Sequence, residues 1–277
     1  FQQNEEANSI FLDLLLNYDN PERALRHMNE VGFLGAFIPE FGRIVAMMQF
    51  NMYHSFTVDE HTIQCIRNLA EIEHKNLLED LPIASQILSG DINRRILYTA
   101  LLLHDLGKGL PKDHSVVGAE MAETLAPRLG LRPEEAEIVV WLVKHHLLMS
   151  DVAQKRDITD SRTVRDFANE VTSATKLKLL TVLTVCDIRG VGPNAWNNWK
   201  AVLLRELYKQ TLAFLNEGSM SSSRPERIKT LKNKVGQSLT ELSSKEKNFQ
   251  LDRHYDNFWL GLDFDTQLEF INLIRND

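Results

Sequence analysis

Between residues 61 and 187 the chain spaces out a series of groups able to hold metal ions: His61, the pair His104-Asp105, His114, the pair His145-His146, and Asp187. Imidazole nitrogen and carboxylate oxygen together form the donor set of zinc, iron and manganese sites, and carboxylates also accept magnesium. Residues 101–115 read LLLHDLGKGLPKDHS, so an apolar run leads straight into His104 and Asp105. One hydrogen bond satisfies a buried neutral histidine, whereas an unpaired buried carboxylate costs several kcal/mol or takes up a proton. Asp105, and Asp187 at the end of KLKLLTVLTVCD, therefore call for a cation, and the nearby histidines point to a metal rather than an arginine. The two oxygens of a single aspartate can bridge two ions, the arrangement that clamps a hydrolytic water.

These groups need helices to hold them. Val58, His61, Cys65 and Leu69 follow 3–4 spacing, and TVDE at 57–60 reads as a capping box with Thr57 as N-cap and Glu60 reaching back. Leu97 and Leu101 share a face with His104, and Leu101 lies one turn below Asp105. Leu180 and Leu183 share a face with Asp187, and Leu142 lies one turn below both His145 and His146. Neighbours on a helix point about 100° apart. His104 and Asp105 therefore converge most easily at a helix end, which Gly107 and Gly109 supply.

The same periodicity runs through SIFLDLLLNY, PERALRHMNEVGFLG, NRRILYTALLLHDLG, SVVGAEMAETLAPRLG and PEEAEIVVWLVKHHLL, with no alternating strand pattern, which predicts an all-α bundle around the metal site. NEGSMSSSRPER, residues 216–227, reads as a linker, followed by a polar helix over 228–247 and an aromatic stretch, HYDNFWLGLDFD. The division expected is an N-terminal helical region at 1–50, the metal-binding domain at 51–215 and a helical extension at 216–277.

A formal charge of −7 over 277 residues argues against a binder of duplex nucleic acid, which carries a basic stripe. Cys65 and Cys186 lie far apart and fit neither a disulfide framework nor a paired-thiol zinc site, a pattern that suits a reducing cytoplasm. No apolar run approaches the roughly 18 residues needed to span a bilayer, and FQQNEEANSI lacks the features of a signal peptide. A start on Phe1 reads as a fragment of a longer chain.

The ordered set of histidines and aspartates resembles the HD superfamily of metal-dependent phosphohydrolases. PEFGRIVAMMQFNMYHSFTVDEHT, LLLHDLGKG, DHSVVGAEMA, LLTVLTVCDIRGVGP and AWNNWKAVLLRELY are similar to the HD domain of the bifunctional PII uridylyltransferase/uridylyl-removing family, and the similarity runs from about residue 10 to the end of the chain. The loop GLPKDH departs from that family's richer glycine content. The family's nucleotidyltransferase and ACT domains are not expected in this stretch. The resemblance implies a cytoplasmic bacterial enzyme of nitrogen regulation that hydrolyses the phosphodiester joining UMP to a tyrosine of the PII signalling protein, with glutamine as the signal.

One or two divalent ions (Mn, Fe, Zn or Mg) would take part. The first is expected on His61, His104, Asp105 and Asp187, and the second on Asp105, His114 and His145, with His146 a ligand or an outer partner. Asp105 and Lys108 are the expected catalytic groups, with Lys108, Lys112, Lys144 and Arg189 as substrate contacts. Other readings are an HD hydrolase of a small nucleotide such as (p)ppGpp, a non-catalytic nucleotide-binding HD module, and a helical scaffold. The scaffold leaves Asp105 and Asp187 unexplained. His54 reads as a loop histidine, Trp196 and Trp199 as core residues on a helix, and His27, His74 and His254 as outside any pattern.

Overall fold

Apolar residues three and four apart produce helices throughout, and among the described residues no strand forms. The structure, a computed structural model, describes residues 4–48, 55–219, 224–239, 242–255, 258–259 and 264–275. In chain order the helices are α1 (Glu5–Asn17), α2 (Pro21–Glu30), α3 (Phe33–Phe37), α4 (Pro39–Gly42), α5 (Val58–Glu73), α6 (Pro82–Leu88), α7 (Arg94–Leu103) and α8 (His114–Arg128). They continue as α9 (Pro133–Lys144), α10 (Leu148–Lys155), α11 (Ser161–Val171), α12 (Ala174–Val191), α13 (Asn198–Ser219), α14 (Arg224–Ser238), α15 (Ser244–Asp252) and α16 (Phe264–Arg275). The chain divides into two compact units, Phe1–Leu215 and Asn216–Asp277.

In the first unit α12 packs along α5, α8 along α9, and α7 lies against both α5 and α9. Every residue of α7 from Ile96 to Leu103 is buried, which is why that run is apolar on all sides. Each such leucine or isoleucine contributes about 1.5–3 kcal/mol by leaving water. The N-terminal helices are tied to the start of α5 by polar contacts. Arg26 pairs with Glu60, Asn29 Nδ2 donates to Asp59 at 2.8 Å, and the Ala46 amide donates to Asp59 at 3.2 Å.

Several local expectations differ from the structure. Thr57 is the N-cap of α5, but its side chain makes no cap hydrogen bond, and Glu60 pairs with Arg26 and accepts from Gln64 Nε2 at 2.7 Å instead of reaching back. Gly32, at φ 73°, breaks PERALRHMNEVGFLG into α2 and α3. Of the stretch 216–227, the described residues are helical, 216–219 finishing α13 and 224–227 opening α14, while 220–223 lie outside the described residues. The polar helix expected over 228–247 divides, because Ser243 and Glu246 form a capping box that starts α15. Trp196 precedes α13 and packs partly buried against the core, whereas Trp199, on α13, is 58% exposed. His27 is exposed near Glu30, His74 caps α5, His254 stacks on Phe258, and His54 lies outside the described residues.

The second unit has its own small core of Val235, Trp259 and Ile271, with Leu251 beside them. Gln267 Nε2 donates to the Trp259 carbonyl at 2.9 Å within it. No helix among the described residues is long and apolar enough to cross a membrane.

Candidate metal centre

Five helices bring their ends or a final turn to one place in the first unit. α5 presents His61 from its first turn. α7 ends at Leu103, and the chain turns through His104 and Asp105, which lets two adjacent side chains face the same point. Gly107 makes the next step possible: a Cβ there would lie 2.1 Å from the His114 carbonyl oxygen and 2.8 Å from the Gly118 amide, so only a bare backbone lets α8 settle on the turn. Gly109 closes the turn at φ 79°. Asp113 caps α8, accepting from the Ser115 amide at 2.9 Å, and so makes His114 the first helical residue. α9 stops at Lys144, leaving His146 in the turn beyond, and α12 supplies Asp187 near its end.

The donor atoms form two groups that meet at Asp105. His61 Nε2 lies 3.2 Å from His104 Nε2, 3.1 Å from Asp187 Oδ1 and 3.4 Å from Asp105 Oδ2. His104 Nε2 is 3.4 Å from the same Asp105 oxygen and 3.8 Å from Asp187. On the other side, Asp105 Oδ1 is 4.0 Å from His114 Nε2 and 3.8 Å from His146 Nε2, and those two nitrogens are 3.4 Å apart. Lys108 Nζ sits 2.6 Å from Asp105 Oδ2. His61, His104, Asp105 and His146 are almost wholly buried; Asp187 and Lys108 are partly so, and the His114 side chain retains 28% exposure.

Hydrogen bonds orient the rings. His104 Nδ1 lies 2.7 Å from the Leu101 carbonyl and His146 Nδ1 2.7 Å from the Val143 carbonyl. An acceptor at Nδ1 places the proton there, so the Nε2 lone pair of each ring faces the centre. Burial draws His104 down to about 4 against the pull of Asp105 and Asp187, which keeps it neutral. Burial opposes ionisation of Asp105, yet His104, Lys108, His61 and His146 hold its carboxyl well below the usual range. Asp187, equally opposed by burial, is brought to about 2 by its hydrogen bond with His61 and by His104.

Burial opposes protonation of His61, but Cys65, Asp187 and Asp105 raise its pKa well above the ordinary histidine value. Imidazole nitrogens and carboxylate oxygens converge within 4.8 Å in each group. Asp105 Oδ2 is buried and accepts no hydrogen bond of good geometry despite the nearby ammonium. This mixed nitrogen and oxygen donor set fits a divalent cation in each group.

Not every expected residue takes part. Neighbours at a helix end diverge, and only His146 of its pair turns inward. His145 caps α9, stacks on Trp141 at 4.9 Å and places Nδ1 3.7 Å from Glu170, so the expected ligation of a second ion by His145 does not match its orientation. Lys112 and Lys144 are exposed and do not line the cleft over the donors. Arg189 lines a different groove with Trp196 and Arg205, because two residues along a helix from Asp187 is nearly the opposite face. Lys108 does line the cleft, which has a volume of ≈ 310 Å³ and is walled on its far side by Leu147, Ser150 and Gln154 of the α10 region. Ser150 and Gln154 were not anticipated, although their four-residue spacing marks one helical face. Cys65, whose sulfur joins the first group, was assigned no role.

An HD-domain family profile matches residues 58–186, from the start of α5 to the residue before Asp187. Over 274 residues, 99% of this chain, the sequence is 59% identical to the bifunctional uridylyltransferase/uridylyl-removing enzyme of Cereibacter sphaeroides. It is 57% identical over the same share to the enzyme of that name from Ruegeria pomeroyi. The chain spans 30% of the length of each of these relatives. The matched stretch, residues 58–186, is the one that assembles His61, His104, Asp105, His114 and His146, and it is where the chain carries an HD domain.

Proposed function

We propose that the chain is a uridylyl-removing hydrolase of the cytoplasm, which cleaves uridylylated PII signalling protein with water to give PII and UMP. The observation that carries the reading is the division of Asp105 between two donor groups, Oδ2 toward His61 and His104 and Oδ1 toward His114 and His146. His61, His104, Asp105 and Asp187 would hold one ion, and Asp105, His114 and His146 a second. Divalent ions so held supply positive charge at the phosphate oxygens and activate water as the nucleophile. The similarity to two enzymes named for uridylyl removal supports the choice of substrate.

The chain's own residues have separable parts in this reaction. Water adds to phosphorus, the bond from phosphorus to the tyrosine oxygen breaks, and that oxygen needs a proton. Lys108, which lines the cleft and holds its ammonium 2.6 Å from Asp105, is the group placed to steady the phosphate or deliver that proton. His114 is the most exposed of the donors, so a diester carried on a protein loop would arrive on its side of the cleft. Lys112, exposed in the loop that leads to His114, offers it positive charge on an acidic molecule. Residues 51–215 would be the hydrolase domain, with 1–50 and 216–277 as flanking helical regions. Incubation with uridylylated PII and, separately, with (p)ppGpp in the presence of each divalent metal tests the proposal. UMP release from the protein is expected, and rapid (p)ppGpp cleavage without UMP release would refute it.

A further inference from the structure

Behind His61, α12 approaches α5 more closely than any side chain at position 190 would allow. A Cβ built on Gly190 would lie 2.5 Å from Cys65 Sγ and 3.2 Å from both Cε1 and Nδ1 of His61. Real contacts of that kind are essentially never as short as 2.5 Å, and both obstructing residues are fully buried. Gly190 sits in ordinary helix, so no special backbone conformation calls for glycine there. Glycine weakens a helix interior, and the feature that offsets this weakness here is the close approach itself.

Cys65 is the other half of the contact. It follows His61 by one turn of α5, and its sulfur lies 3.6 Å from Nε2 and 3.9 Å from Nδ1 of the imidazole. Cys65 and the bare backbone of Gly190 therefore wall one side of the ring. Asp187, His104 and Asp105 stand at 3.1, 3.2 and 3.4 Å from its Nε2. Asp187 and Gly190 belong to the same helix, three residues apart, so the spacing between helices at Gly190 also sets how near Asp187 comes to His61. Asn68 Nδ2, donating to the Cys186 carbonyl at 3.4 Å, joins the same two helices further along.

We propose that Gly190 and Cys65 are a positioning pair for the metal centre: their contact fixes the separation of α5 and α12 and holds the His61 imidazole where Nε2 faces Asp187 and His104. Neither residue touches substrate in this role; both act through His61. The size of the cysteine side chain matters, because a smaller group leaves room for the ring to tilt and a larger one pushes it off the backbone of Gly190.

The test is a double-substitution cycle on the full chain, read as manganese and zinc affinity of chelator-stripped protein and as the melting temperature of the metal-free form. Gly190→Ala should weaken metal binding about 10- to 100-fold, the range for residues that orient a ligand. Adding Cys65→Ala should restore most of that loss, since it removes the sulfur that the new Cβ would strike. A double variant no better than Gly190→Ala would overturn the proposal. So would a Gly190→Ala protein with a lower metal-free melting temperature and unchanged affinity, because that pattern belongs to plain helix packing. Should Gly190→Ala not fold, Cys65→Val presses on the same contact from α5. It should weaken metal binding to a similar degree, and unchanged affinity in that variant would overturn the proposal equally.

Discussion

Replacing Asp105 with asparagine keeps the shape of the residue and removes the charge shared by both donor groups. Its two oxygens lie 3.4 to 4.0 Å from four imidazole nitrogens, so a cation bound by either group feels the carboxylate at close range. Two unit charges about 4 Å apart attract by about 4 kcal/mol at the effective dielectric near 20 that suits protein sites. That is roughly 10³ in affinity, and the double charge of the ion makes it a lower bound. The metal-free protein should respond differently. Asp105→Asn spares the fold a buried charge but strands Lys108, whose ammonium lies 2.6 Å away and is 14% exposed. These effects oppose each other, so metal-free stability should change by less than about 2 kcal/mol. Calorimetric titration of manganese or zinc into chelator-stripped protein measures the affinity, and a thermal melt without metal measures the fold. His114→Ala is the control: it touches only the second group and should cost one equivalent of metal while sparing the other. An Asp105→Asn protein that binds two ions within tenfold of the unaltered affinity would refute the bridging role.

Lys108→Gln should retain its metal and lose about 10² to 10³ in the rate of UMP release, the usual effect of removing one electrostatic stabiliser, and metal analysis beside the rate separates this from loss of the site. His146→Ala should lower metal content while His145→Ala leaves it nearly intact, since only His146 faces the centre. Glu135, buried and accepting from Asn93 Nδ2 at 2.7 Å and from the Arg132 amide at 2.9 Å, has its pKa brought down to about 2 by those Arg132 and Asn93 contacts even though burial opposes ionisation. Because the folded value lies below the ordinary 4.5, this stability is complete above about pH 4.5 and is lost as pH falls toward 2. Acid melts of Glu135→Gln should lack that part of the pH dependence, worth on the order of 3 kcal/mol at most. Metal at 100 times its dissociation constant should add about 2.7 kcal/mol to the first unit's stability, a rise of roughly 5–10 °C visible by scanning calorimetry and absent in Asp105→Asn.

The helices were legible because their apolar spacing is regular, and the chemistry because aspartates ended two apolar runs. What spacing could not decide is which of His145 and His146 faces inward. Leu142 lies one turn below both, and the outcome depends on where α9 ends and on the bond from His146 Nδ1 to the Val143 carbonyl. Tertiary contacts account for other differences. Arg26, 34 residues before Glu60, takes the carboxylate that a local capping box would have used. Arg189 is close to Asp187 in sequence, yet the turn of α12 carries it to another groove. The contact between Cys65 and Gly190 joins residues 125 positions apart, and nothing in either local stretch announces it.

The placement of the donors at helix ends explains how so polar a centre sits inside an apolar bundle. In mid-helix, His104 and Asp105 would diverge and each would need its own partner in the core. At the end of α7 the chain is free to turn, and the backbone carbonyls of Leu101 and Val143 anchor the His104 and His146 rings. The same anchoring fixes which nitrogen carries the proton, so the second nitrogen has no role except to accept. Asp105 and Asp187 are held ionised beside a His104 held neutral. Without metal their charge is offset by the Lys108 ammonium at Asp105 Oδ2 and by His61, where burial opposes protonation but Cys65 and those carboxylates raise the pKa. A divalent cation bound there would displace the proton that His61 draws and take over its charge, so metal binding completes the electrostatics that the helix ends set up.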